Sequence, residues 1–205
     1  MLALSLVAGC GGDGGGTDTG ASRTDAPRRD GGGGGDGGGG GDDAPVAEID
    51  APSSDPYEAA REACVGEINR LRATNGLPPL ARWRGVEDCM DNQANADQMA
   101  NRPHGAWSSG AFPECNGSGQ NECLGHGADG VVSCMQQMWD ERLQAGCSGC
   151  DACRDAYNPS CPNCDFYGST TGDVCGHYVN MNAAYFTEVA CGFSDEGGWV
   201  TVNFR

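Results

Sequence analysis

Three histidines occur in the chain, and two of them stand among residues able to do chemistry with them. His177 lies in "CGHYVNMNAAYFTEVACGF" (175–193) and His104 in "NRPHGAW" (101–107). Glu122 lies in "GQNECLG" (119–125) and Glu141 in "MQQMWDERL" (135–143). Two neutral imidazoles facing one another can share a divalent transition metal, zinc before others, while carboxylates accept the second ring N–H and fix the tautomer. Two histidines alone leave such a site incomplete, because structural zinc takes four protein ligands and catalytic zinc three. Binding is therefore expected to be weak, with water in the open positions. Metal-bound water activated by Glu122 or Glu141 would make the site a hydrolase. Against that, the sequence has no HExxH motif, no third histidine at ligand spacing and no dedicated nucleophile, Ser108 and Ser109 having no motif around them. His126 is read as a loop residue.

The elements that must position these four groups are legible in outline. Asp55, Pro56 and Glu58 read as an N-cap, a first-turn proline and a capping-box acid. Tyr57, Ala60, Cys64, Ile68 and Leu71 then recur at helical spacing until Asn75-Gly76 ends the run. A second helix is expected from Val86 to about Ala100, and a third from Val131 to Leu143, closed by Ala145-Gly146. His104 then falls at the start of one loop, Glu122 in the next, and Glu141 at the end of the third helix. His177 precedes a turn and a strand. Val189, Cys191 and Phe193 alternate, as do Val200, Val202 and Phe204, giving two strands. The fold class expected is α+β, with helices on both faces of a small sheet.

Before this domain the chain has a different character. "MLALSLVAGC" ends an apolar stretch in Val7, Ala8, Gly9 and Cys10, which fits a lipobox in which Cys10 becomes the acylated N-terminus. Residues 1–9 are then a signal-peptide remnant. Residues 10–55, dominated by Gly and Asp, offer almost no apolar side chains to offset the entropy of ordering. They are expected to form a tether spanning roughly 35 to 40 Å. The folded domain is expected at 56–205.

Charge and cysteine content narrow the partners and the compartment. The net charge is −17, with no lysine; 10 acids and 3 arginines precede residue 56, and 19 acids and 9 arginines follow it. That balance argues against nucleic acid and anionic membrane surfaces as partners. Setting Cys10 aside leaves an even twelve of the 13 cysteines, as expected for disulfides in an oxidising compartment. The dense stretch "CSGCDACRDAYNPSCPNC" (147–164) has the CxxC spacing of zinc ribbons as well, but behind an export signal disulfides are the expectation. Cys115 and Cys123 bracket a short loop beside Glu122 and are the candidates for a bridge that would pre-position its carboxylate, with Cys64 and Cys89 as competitors for either.

Taken together, "EINRLR", the loop His104, the "NE" turn with Glu122, Trp139 ahead of Glu141, and "GHYVNMNAAYFTEVACGF" resemble the CAP superfamily, or SCP domain, over about residues 60–205. The family takes its name from cysteine-rich secretory proteins, antigen 5 and pathogenesis-related proteins, and the last of these segments is similar to its bacterial form. Asn69 and Arg72 match the first-helix Asn and Arg of many members. The sequence departs in having Asn121, Glu122 and Cys123 where the family usually has Gly, Glu and Asn, and in placing Met138 where a Trp is usual. The Cys-rich stretch has no clear counterpart and looks like an insertion. The resemblance implies a three-layer α-β-α sandwich and makes His104, Glu122, Glu141 and His177 the lining of a central cleft. It further implies a secreted binding or signalling module, with an extracellular ligand that in some members is a lipid or sterol, the membrane anchor being the expectation drawn from Cys10. An established reaction is not a family property.

Overall fold

The computed structural model describes residues 54–156 and 161–205; the lipidation expected at Cys10, and the tether apart from Ser54 and Asp55, lie outside them. The first helix, α1, runs Glu58–Thr74 and buries Cys64, Ile68 and Leu71 of the stripe its spacing set out, with Val65 beside them. Gly76, at a φ of 68°, turns the chain away. Its start differs from the expected capping box. Asp55 accepts the Tyr57 N–H at 2.8 Å, but its other oxygen takes the Nε–H of Arg61 at 2.7 Å. Glu58 reaches away to Arg82. The buried guanidinium of Arg61 claims the acid that would otherwise cap, and also holds Asp91 at 2.7 Å.

After the two-residue strand β1 (Ala81–Arg82), the chain forms α2 (Glu87–Ala100), the short α3 (Gly105–Ser109), β2 (Gly119–Leu124) and α4 (Val131–Asp140). The Cys-rich segment, α5 (Gly176–Asn182) and the strands β3 (Glu188–Phe193) and β4 (Trp199–Phe204) complete it. The strands make one sheet in the order β1-β3-β4-β2, with β1 parallel to β3 and the other pairs antiparallel. The hairpin β3-β4 is the alternation read at 189–193 and 200–204. Val189, Cys191, Phe193, Val200, Val202 and Phe204 pack in one cluster with side chains of α1, α4 and α5. The opposite face is small and polar, and α2 lies against it. Ala190 packs with Met90, and the Thr201 hydroxyl donates to the Met90 carbonyl at 3.2 Å. Gly192 is required there, because a Cβ would run into the Met90 backbone. Helices thus cover both faces of a mixed sheet.

All twelve cysteines from Cys64 onward are paired. Cys64–Cys191 ties α1 to β3, Cys89–Cys115 ties α2 to the approach to β2, and Cys123–Cys134 ties β2 to α4. Cys147–Cys175, Cys150–Cys164 and Cys153–Cys161 staple the Cys-rich segment and its junction with α5. The bridge expected between Cys115 and Cys123 is not formed. Cys115 packs with Met90 on the α2 side, whereas Cys123 belongs to the cluster beneath α4, so the two sulfurs lie on opposite sides of the sheet.

Candidate metal centre

Glu122 was expected in a loop; it stands instead in β2, paired with Thr201 of β4. This strand organises the site. Side chains alternate along a strand, so Gln120 and Glu122 turn towards the α2 side while Asn121 turns towards α5, and β2 is an outer strand of the sheet. Groups from the two helical layers can therefore meet beside it. His104 comes from the α2 side and His177 from the α5 side, with ring centroids 6.3 Å apart and planes 28° from parallel.

His104 sits in the turn between α2 and α3 in a left-handed conformation, φ 58° and ψ 14°, an uncommon backbone for a residue with a side chain. Two contacts hold it there. Its backbone N–H donates to Glu122 Oε2 at 2.5 Å, and its ring Nδ1–H donates to Gln120 Oε1 at 2.9 Å. The Gln120 amide is itself oriented, donating to Gln93 Oε1 at 3.2 Å, an oxygen that also accepts from Asn203 at 2.9 Å. Gln93 in turn donates to Asn116. A chain of buried amides thus fixes the tautomer of His104, leaving Nε2 as the unprotonated nitrogen. Burial of the ring, despite hydrogen bonding to Gln120 and with the His177 ring nearby, lowers its pKa below the ordinary histidine value. His104 therefore stays neutral further into acid than a free histidine.

Glu122 does not accept the ring N–H as expected; its carboxylate stays 4.0 Å from Nδ1. The reason lies in Asp97 of α2, which the sequence reading passed over. Asp97 Oδ1 accepts the Ala106 N–H at 2.6 Å and so opens α3. Its Oδ2 and Glu122 Oε1 are both buried without an N–H donor. Burial first, and then the hydrogen-bonded Asp97 carboxyl, push Glu122 well above the carboxylate range.

His177 occupies the first turn of α5, a helix the sequence reading took for a turn. Its Nδ1–H donates to Glu141 Oε1 at 2.5 Å, and the Tyr178 N–H donates to Glu141 Oε2 at 3.0 Å. One carboxylate thus fixes the ring and satisfies an open N–H of the helix terminus. The rest of α5 is clamped from several sides. Asn121 donates to the His177 carbonyl at 3.0 Å. Arg72, fully buried, donates to the Met181 and Ala183 carbonyls at 2.8 Å each. The Tyr178 hydroxyl donates to Asp151 of the Cys-rich segment at 2.5 Å, and its ring packs edge-on to Trp139 at 5.0 Å. Asn69, the other first-helix residue singled out, exchanges two hydrogen bonds with the Leu80 backbone and secures the approach to β1.

No family model matches the chain, and no curated protein matches it. What the site can do rests on its donors. Both imidazoles have Nδ1 committed to an acceptor, so both present Nε2 lone pairs, the form that binds a transition metal. The rings are 38% and 24% exposed as side chains, so solvent reaches both. Two zinc-bound imidazoles with bonds of about 2.1 Å have ring centres roughly 5 to 6 Å apart, close to the spacing observed. The donor set fits a weakly held divalent ion with open positions. Among the described residues, two denser groups of potential donors are otherwise engaged. Cys147, Cys150 and Cys175 are in disulfides, and Asp55, Glu58 and Glu87 are held by arginines. The hydroxyls of Ser108 and Ser109 donate to carbonyls of their own helix and offer no nucleophile.

Proposed function

We propose that this chain carries an exported, non-enzymatic binding module of the CAP type, a three-layer α-β-α sandwich whose cleft between His104 and His177 takes a divalent transition metal, zinc before others. The observation that carries the reading is the pair of facing imidazoles, each with Nδ1 tied to an acceptor of its own, Gln120 for one and Glu141 for the other. When bound, the ion would supply a Lewis-acidic centre with open positions, to which an extracellular ligand could add a donor; a lipid or sterol head group is the ligand class the family resemblance suggests. Six disulfides support an oxidising compartment. Acylation at Cys10 would hold the module at a membrane, and mass spectrometry of the mature N-terminus tests it: an unmodified terminus upstream of Cys10 rejects the anchor.

The hydrolase reading is weaker on this geometry. Glu122, a base that reading would call on, is buried, with one oxygen taken by the His104 N–H and its pKa pushed up by burial first, and Glu141 is engaged by His177 and Tyr178. Zinc titration of the wild type, His104→Ala and His177→Ala by calorimetry at neutral pH tests the module. Each variant should lose zinc binding while melting near the wild-type temperature, since helices, sheet and disulfides hold the segments without the ion. Equal zinc affinity in all three proteins would make the four residues a hydrogen-bonded structural feature.

A further inference from the structure

The Cys-rich segment and the loop that follows it line an open pocket of about 700 Å³ that shares no residue with the His104–His177 site. That is the size of a ligand site, and its wall is of two kinds. One part is aromatic: Phe166 and Tyr167 meet edge-on with centroids 4.7 Å apart, and Tyr167 is 70% exposed. The other part is polar, with the amide of Asn163, the hydroxyls of Ser148 and Thr170, and two carboxylates, Asp165 and Asp173, both of which accept backbone N–H groups.

The wall is also pre-formed. Asp165 Oδ1 accepts the Ser169 N–H at 2.9 Å, and Oδ2 accepts the N–H groups of Thr170 and Thr171 at 2.6 Å each. This carboxylate is consumed in folding its own loop, which sets the positions of the adjacent hydroxyls. Cys150–Cys164 fixes the chain just before it. Little ordering is left for a ligand to bring about, which favours binding by weak contacts.

The lining also decides the ligand class. Among the described residues no Lys, Arg or His lines the cavity, so an anionic ligand gains nothing locally and is repelled by a chain of net charge −17. A lipid tail would meet amide and hydroxyl groups that it cannot satisfy. A neutral sugar matches both kinds of wall, because a pyranose carries an apolar C–H face and a rim of hydroxyls that donate and accept. We propose that this cavity binds a neutral oligosaccharide, with the exposed Tyr167 ring as the surface on which a sugar stacks and Asn163, Ser148 and Thr170 as its hydrogen-bonding partners.

The test uses the full chain, with cellotriose, chitotriose and mannotriose as neutral probes and a heparin tetrasaccharide as the anionic one, followed by amide chemical shifts. At least one neutral trisaccharide should bind with a Kd of about 1 mM or tighter, moving amides within 163–173 and not those around His104. Tyr167→Ala, a change at an exposed side chain, should weaken it about 10-fold. Asn163→Gly removes the amide while keeping the left-handed backbone at φ 55°, and it should weaken binding as well. Tyr185→Ala, at another partly exposed tyrosine, should not. The proposal is overturned if none of the three trisaccharides shifts these amides, if Tyr167→Ala binds as the wild type does, or if the heparin fragment binds as well as the neutral sugars.

Discussion

The two facing histidines are held by different means. On the α5 side, His177 donates to the Glu141 carboxylate, which also anchors the first turn of the helix that carries the histidine. On the α2 side, His104 donates to the neutral amide of Gln120, and the nearby acid, Glu122, accepts the backbone N–H of His104 and stays 4.0 Å from its ring Nδ1. An anion behind an imidazole makes its far nitrogen more basic and a stronger ligand, whereas an amide orients the ring without adding charge. Tautomer control and charge are thus separable, and the cleft uses both on one side and only the first on the other. In the proposed metal site His177 would be the stronger ligand and His104 the weaker.

That asymmetry can be broken from either end. Among changes to the groups behind the two rings, Glu141→Gln should have the largest effect, weakening zinc binding about 100-fold, at the upper end for partners of metal-bound histidines, because charge and orientation are both lost. Gln120→Leu should cost about 10-fold, the lower end, since only orientation is lost. Calorimetric zinc titration of both variants checks the order. If Gln120→Leu proved the more damaging, His104 would be the principal ligand and the comparison would be reversed.

Much of the frame was legible because it obeys simple periods. Met90, Ala94 and the stripe of α1 follow the helical spacing, and residues 189–193 and 200–204 alternate because one face is apolar. β2 escaped because Gly119, Gln120, Asn121, Glu122 and Cys123 are all buried, with polar side chains turned to both layers, so no alternation of apolar and polar remains. α5 is short and buries Asn180 and Asn182, which read as turn residues. The cysteine pairing was out of reach, because it depends on which side of the sheet each sulfur faces. Gln93 and Asp97 did leave a trace. They share the buried stripe of α2 with Met90 and Ala94, and polar residues at core positions of a helix mark a buried network.

The smallest effect on zinc, and the sharpest test of the comparison, belongs to Glu122→Gln. If Glu122 were a carboxylate partner of His104, this change would cost as much as Glu141→Gln. In the geometry found, the glutamine keeps a carbonyl oxygen for the His104 N–H and can offer its NH₂ to the buried Asp97 Oδ2, so zinc affinity should stay at the wild-type level. The consequence appears in stability against pH. The folded protein holds the Glu122 proton above the ordinary glutamate pKa of about 4.3, because its folded pKa is raised, while the unfolded chain releases it. The folded state then binds more protons than the unfolded one, so this group's contribution is full below that pH and declines as the pH rises towards the folded value. Glu122→Gln has no such proton to lose. Denaturant titrations at pH 5 and pH 8 should therefore show the variant gaining stability relative to the wild type on going to the higher pH. A variant that loses relative stability over that interval, or binds zinc as weakly as Glu141→Gln, would return Glu122 to the role of an ionised partner of His104.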